Sequence, residues 1–170
     1  MTEQSVAEKV LSADQCRRID HWLAKFPDDE QGRASAIIAA LHILQDDNGG
    51  ALQRQHVEAV AAYIGMPRSS AFEVATFYSM FHLDEPVGRH KVNFCTNLSG
   101  CLNGADELVA YAEQKLGVRQ GETTADGRIT LVREEECLAA CTGAPMMIVD
   151  GHYHTHLTRE RIDEILDGLS

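Results

Sequence analysis

The sequence predicts an α+β protein in two domains: an N-terminal four-helix bundle over residues 1–84 and a mixed β-α-β-β-α domain over residues 85–170. Three observations predict it. Apolar residues recur at helical spacing through the first part of the chain. The segment DEPVGRH, with Pro86 and Gly88, then interrupts that pattern as a linker. Beyond it, short β-branched runs stand among helical stripes, the mark of mixed structure.

Ser12 followed by Gln15 fits a capping box, and Cys16, Ile19, Leu23 and Phe26 then share one helical face. On that face Cys16 reads as a small buried apolar residue rather than a ligand. FPDDEQG breaks the helix. A second helix is expected over about 33–47, with Ala34, Ile37, Ile38, Leu41 and Leu44 inward, ended by DDNGG. A third covers about 54–64 through Val57, Val60, Ala61 and Ile64. Gly65 ends it and Pro67 prevents its return. Ser69 or Ser70 is expected to cap a fourth, AFEVATFYSMF, running to about Phe81. Its aromatics Phe72, Phe77, Tyr78 and Phe81 suit a bundle core, with a partner-facing side as the other use.

After the linker, a strand around Val92–Phe94 ends at Cys95. A helix over 104–116 carries the stripe Leu108, Val109, Ala112 and Leu116. GVRQGETTADGR reads as a polar connection, ITLV (129–132) as a strand, and REEECLAAC as a loop. Met146–Val149 is a strand, Asp150-Gly151 a two-residue hairpin turn, and HYHTH the returning strand. The last helix starts near Thr158 and buries Ile162, Ile165, Leu166 and Leu169. That order suits a small sheet with helices packed on it, the layout of thioredoxin-like domains.

A net charge of −11 argues against nucleic acid and anionic membrane surfaces, which need clustered Lys and Arg. No apolar run approaches the ~18 residues that span a bilayer. The N-terminus MTEQSVAEKV has no basic region followed by an apolar core, so a reducing cytosol is expected, where thiols serve metal or redox roles.

Four of the five cysteines form two pairs, Cys95 with Cys101 and Cys137 with Cys141, separated by five and three residues. Thiolates select zinc, copper(I) or iron–sulfur iron. Structural zinc usually draws on pairs with two to four residues between them, so the longer gap fits zinc less well. A two-iron cluster gives each iron one pair and tolerates longer loops. Asn97, Ser99, Gly100, Asn103, Gly104, Thr142 and Gly143 are small or polar and can turn N–H groups toward sulfur. Zinc, a disulfide and free thiols remain as other uses of the same spacing. C-x-x-C, the redox dithiol pattern, is absent, as are GxGxxG after a strand and the P-loop.

The run VATFYSMF, PVGRH, CTNL, Cys101 with Asn103-Gly104, CLAAC and APMM resembles one family. It is the thioredoxin-like [2Fe–2S] subunit of bacterial NADH:quinone oxidoreductase (complex I), with relatives in NAD-linked formate dehydrogenases and NAD-reducing hydrogenases. The likeness runs from about Ser12 to Leu169. It implies that Cys95, Cys101, Cys137 and Cys141 ligate one [2Fe–2S] cluster. It also implies docking on the NADH-oxidising subunit, where FMN and NAD belong, alongside further iron–sulfur subunits at the inner face of the cell membrane. One departure stands out: the family has C-T-N-L-S-C, and here Gly100 makes the first gap one residue longer. A bulge or left-handed turn at the glycine is expected to absorb it.

His152, His154 and His156 alternate and face one way on a strand. They read as the polar face of an exposed hairpin, a metal site being the other reading. Asp28-Asp29-Glu30 and Glu134-Glu135-Glu136 read as solvated surface, the second close enough to Cys137 to bear on a cluster's potential.

Overall fold

The computed structural model describes residues 10–84, 87–133 and 137–170. The run Glu134–Glu136 and Pro86 of the linker lie outside them. The chain divides into two units, Met1–Pro86 and Val87–Ser170.

The first unit is helical: α1 Ala13–Leu23, α2 Glu30–Ser35, α3 Ile37–Asp47, α4 Arg54–Ile64 and α5 Arg68–Phe77. α1 opens on the expected capping box, Ser12 and Gln15 each accepting from the other's backbone N–H. The helix expected over 33–47 is instead two helices. α2 begins earlier, because Asp29 accepts the Gly32 N–H at 2.7 Å and serves as its N-cap. The acidic run Asp28-Asp29-Glu30 is thus partly a capping device. Arg33 then donates from Nε to the Ile64 carbonyl at 3.0 Å, serving an orphan acceptor at the end of α4. The chain turns at the buried Ala36 before α3 starts. α4 has the expected bounds and ends on Gly65 at φ +76°.

α5 is shorter than expected and starts differently. Pro67, not Ser69 or Ser70, is its N-cap, where a missing N–H costs nothing. It ends at Phe77 because the next backbone groups find partners elsewhere. Gln45, 2% exposed, donates to the Met80 carbonyl and accepts the His82 N–H, both at 2.9 Å. The Leu52 N–H donates to the His82 carbonyl, and the Asp84 N–H to that of Leu52. Phe81 therefore lies beyond the helix, buried against His42, while Phe77 stands exposed. Ile19, Leu41, Leu44, Leu52, Val57, Val60 and Ile64 centre the core, with Cys16 half-buried at its edge.

The second unit is a five-stranded sheet: β1 His90–Phe94, β2 Glu122–Thr123, β3 Ile129–Val132, β4 Met147–Val149 and β5 His152–His154, in the order β2-β3-β1-β4-β5. β1 runs parallel to β3, with Val92 opposite Leu131; the other pairs are antiparallel. A short helix, α6 Leu98–Leu102, and the crossover helix α7 Ala105–Leu116 lie between β1 and β3 in sequence; α8 Arg159–Gly168 closes the chain. β2 and α6 were not expected. β2 arises where Thr124 and Gly127 tighten a turn that folds ETT back on ITLV.

One face of the sheet carries Val92, Phe94, Ile129, Leu131, Met147 and Val149. They form one core with Leu108, Val109 and Ala112 of α7 and Ile162 and Leu166 of α8. Outside it, Tyr111 donates to Asp163 at 2.7 Å, and Lys115 pairs with Asp163 and Asp167. Asp150 at φ +48° and Gly151 at φ +82° make the expected tight turn. The returning strand stops at His154. His156 sits at φ +52°, so it leaves the alternation that the sequence implied.

Gln45→Ala removes the partner of two backbone groups inside a dry core, which costs about 2–4 kcal/mol. Urea unfolding followed by far-ultraviolet circular dichroism is expected to show that loss, with Gln45→Glu also destabilising at neutral pH, where a buried carboxylate oxygen faces the Met80 carbonyl, and recovering as pH falls and the protonated acid can donate to it.

Candidate metal centre

The parallel ladder sets the site. Cys95 directly follows the last residue of β1, and the chain from β3 leads to Cys137, so both pairs start beyond the same ends of neighbouring strands. Cys95 is buried, and its N–H donates to the Met146 carbonyl at 3.1 Å, which carries the β1–β4 ladder one step into the loop. Asn97 then caps α6, on which Cys101 lies exposed. Two residues after Cys137, Ala139 stands at φ +60°, a left-handed conformation that costs a non-glycine residue about 1–2 kcal/mol. Cys141 opens a 3₁₀ turn, Cys141–Gly143.

The Sγ atoms of Cys137 and Cys141 are 3.4 Å apart. A tetrahedral centre with metal–sulfur bonds of about 2.3 Å holds its sulfurs about 3.7 Å apart, so this pair fits one metal ion. The Cys95 thiol interacts with Cys137 and electrostatically with Cys141. Cys101 does not join them. Its thiol donates to Asp106 Oδ2 at 3.3 Å. The structure therefore draws Cys137 and Cys141 together, with Cys95 near enough to act on their thiols, and directs Cys101 to a carboxylate. Among the described residues no group of three or more His, Cys, Asp or Glu could hold a metal ion. A two-iron cluster asks instead for two pairs of thiolates.

Ala139 is the residue that sequence reasoning missed. Its N–H donates to Cys137 Sγ at 3.4 Å, and that bond, followed by the Cys141 thiol, lowers the Cys137 pKa. The left-handed backbone aims this N–H, and an alanine gives no signal of it. Cys141 is shifted upward by the Cys137 thiol, and Cys101 upward by its hydrogen bond to Asp106 and that carboxylate's charge. Of the small and polar residues expected to line the loops, Ser99 donates its hydroxyl to the Cys141 carbonyl at 2.8 Å. Asn103 donates to the Ser99 carbonyl at 2.7 Å. Gly100 makes neither a bulge nor a left-handed turn; it lies inside α6, against the Cys95 backbone. His152 and His154 lie on β5, His156 beyond it. No described helix is long and apolar enough to cross a membrane.

A family model described as thioredoxin-like [2Fe–2S] ferredoxin matches residues 19–170. The E subunit of the NADH-quinone oxidoreductase of Rickettsia felis is 40% identical over 148 residues, 87% of this chain and 86% of that protein. The second E subunit of the NADH-quinone oxidoreductase of Rhizobium meliloti is 43% identical over 151 residues, 89% of this chain and 86% of its own length. Among solved structures, an NAD+-reducing [NiFe]-hydrogenase in the air-oxidized state aligns with a TM-score of 0.62 at 22% identity, over 77% of this chain and 22% of that one. That last likeness is one of fold.

In metal-free protein, Cys137 is expected to alkylate faster than Cys101 near neutral pH, because the Ala139 N–H favours its thiolate while Asp106 disfavours that of Cys101. Asp106→Asn removes the opposing charge and is expected to speed Cys101 alone. Timed iodoacetamide labelling with peptide mass spectrometry reads both rates.

Proposed function

The chain belongs to the thioredoxin-like [2Fe–2S] ferredoxin family, and on that premise we propose that it is the small electron-carrying subunit of an NADH:quinone oxidoreductase. The observation that carries the reading is the approach of Cys137 Sγ to Cys141 Sγ at 3.4 Å, with Cys95 directly following the last residue of the parallel strand β1. In this reading Cys137 and Cys141 would hold one iron, and Cys95 and Cys101 the other. Cys101 would have to give up its hydrogen bond to Asp106 to join them. Bound there, the cluster supplies one-electron storage at a low potential, about −400 mV for the plant type.

The chain's own residues do the rest. The β1–β4 ladder fixes Cys95 through its backbone N–H. Ala139 directs its N–H at the Cys137 sulfur, which stabilises negative charge there. The chain breaks no substrate bond; NADH and FMN belong to the partner subunit, consistent with the absence of a dinucleotide motif from the sequence. Leu98 and Leu102, 72% and 77% exposed on α6 beside Cys101, support docking of this unit on an apolar partner surface. The helical residues 1–84 act as a separate assembly domain, with 85–170 as the cluster domain. The assembled protein works in the cytoplasm at the inner face of the membrane, held there by the complex. The corresponding subunit of a soluble formate dehydrogenase or NAD-reducing hydrogenase is the second reading, favoured only by the shared fold.

Anaerobically purified protein is expected to contain iron and sulfide in equal amounts and to show a two-iron absorption and EPR signal. Cys137→Ala is expected to abolish both; an unchanged signal in that variant sinks the ligand assignment. Zinc without iron or colour would point to a metal-stabilised adaptor instead. The subunit that co-purifies, a membrane quinone-linked complex or a soluble one, separates the two oxidoreductase readings.

A further inference from the structure

α6 touches both cysteine loops through two adjacent residues that carry no thiol. On one side Gly100 packs on the carbonyl of Cys95: a Cβ there would lie 2.0 Å from that oxygen and 3.0 Å from its carbon. Real Cβ atoms do not come so close, and the obstacle is backbone, which cannot rotate away. On the other side the Ser99 hydroxyl donates to the Cys141 carbonyl at 2.8 Å. The helix is fastened to itself by the Cys101 N–H on the Asn97 carbonyl and by Asn103 on that of Ser99.

We propose that Ser99 and Gly100 are positioning residues that set the separation between the Cys95 and Cys141 loops, and that position 100 of the first loop requires a glycine. The proposal rests on the reading that these loops hold one two-iron cluster. Both contacts end on the main chain of a cysteine, so a displacement of α6 must move Cys95 and Cys141 relative to each other. The geometry also accounts for the five-residue gap. In C-T-N-L-S-C the second cysteine would fall at position 100, where this backbone admits no side chain. A helix turns about 100° per residue. The cysteine at 101 is therefore carried off the Cys95 contact to the open side, where Asp106 meets it.

Three variants of the full chain test this: Ser99→Ala, Ser99→Thr and Gly100→Ala. Three readouts are compared: cluster release to a chelator, EPR of the reduced cluster, and hydrogen exchange of amides 139–144 in metal-free protein. Ser99→Ala is expected to lose its cluster roughly fivefold faster, the worth of one hydrogen bond, with a shifted EPR signal; Ser99→Thr restores both. Gly100→Ala is expected to lose its cluster faster still, because the added Cβ meets the Cys95 carbonyl oxygen at 2.0 Å and forces α6 and the Cys95 loop apart. A Gly100→Ala protein, or a Ser99→Ala protein, that matches the parent in release and EPR overturns the proposal. If Gly100→Ala does not fold, the serine pair decides. If the parent chain carries no two-iron cluster, the functional reading fails. The exchange experiment then decides the positioning role alone: roughly fivefold faster exchange at 139–144 in Ser99→Ala supports it, and unchanged exchange overturns it.

Discussion

The parallel ladder between β1 and β3, from His90 opposite Ile129 to Asn93 opposite Val132, governs where both cysteine pairs can go. Parallel neighbours cannot be joined by a tight turn, so the chain must cross over, and α7 makes that crossing while burying Leu108, Val109 and Ala112 on the sheet. Strands that point the same way end at the same side. Residues far apart in sequence thereby leave the sheet together, and the loops that follow need only short reach to meet. β4, antiparallel on the other flank of β1, lends the Met146 carbonyl that fixes Cys95. The site is thus a product of strand direction first and of loop sequence second.

Features set by neighbours in sequence were legible before the structure. The Ser12–Gln15 capping box, the Gly65 stop, the Asp150-Gly151 turn and the stripe on α7 all depend on residues within a turn or two of each other. Those that depend on distant partners were not. α2 and α3 separate next to Arg33, which is engaged by carbonyls some thirty residues away at Tyr63 and Ile64. α5 stops at Phe77 because Gln45 and Leu52 claim the backbone beyond it. β2 exists only because ITLV offers it an edge. Helical periodicity is blind to each of these, since it records which side is apolar and not which backbone groups are already taken.

The cysteines divide along the same line. Their spacing shows that they come in pairs, and the structure brings the sulfurs of Cys137 and Cys141 to 3.4 Å. The direction of Cys101 was hidden, because it follows from a collision that no side chain reveals: the close approach of Gly100 to a carbonyl. Ala139 was hidden for a related reason, its role resting on a backbone angle rather than on side-chain chemistry. Both are cases in which the smallest residues place the sulfur atoms.

The crossover also orders events in time. A chain made from its N-terminus presents Cys95 and Cys101 roughly 40 residues before Cys137. Until β3 has emerged and paired, the first two thiols have no counterpart, and until Met146 arrives Cys95 lacks its backbone anchor. Metal acquisition and folding are coupled wherever the ligands are brought together only by the fold. On the reading proposed above, the ligand set of a cluster is complete only once β3 has paired with β1 and Cys137 and Cys141 have followed it, so a fragment ending before β3 carries only the first pair of thiols.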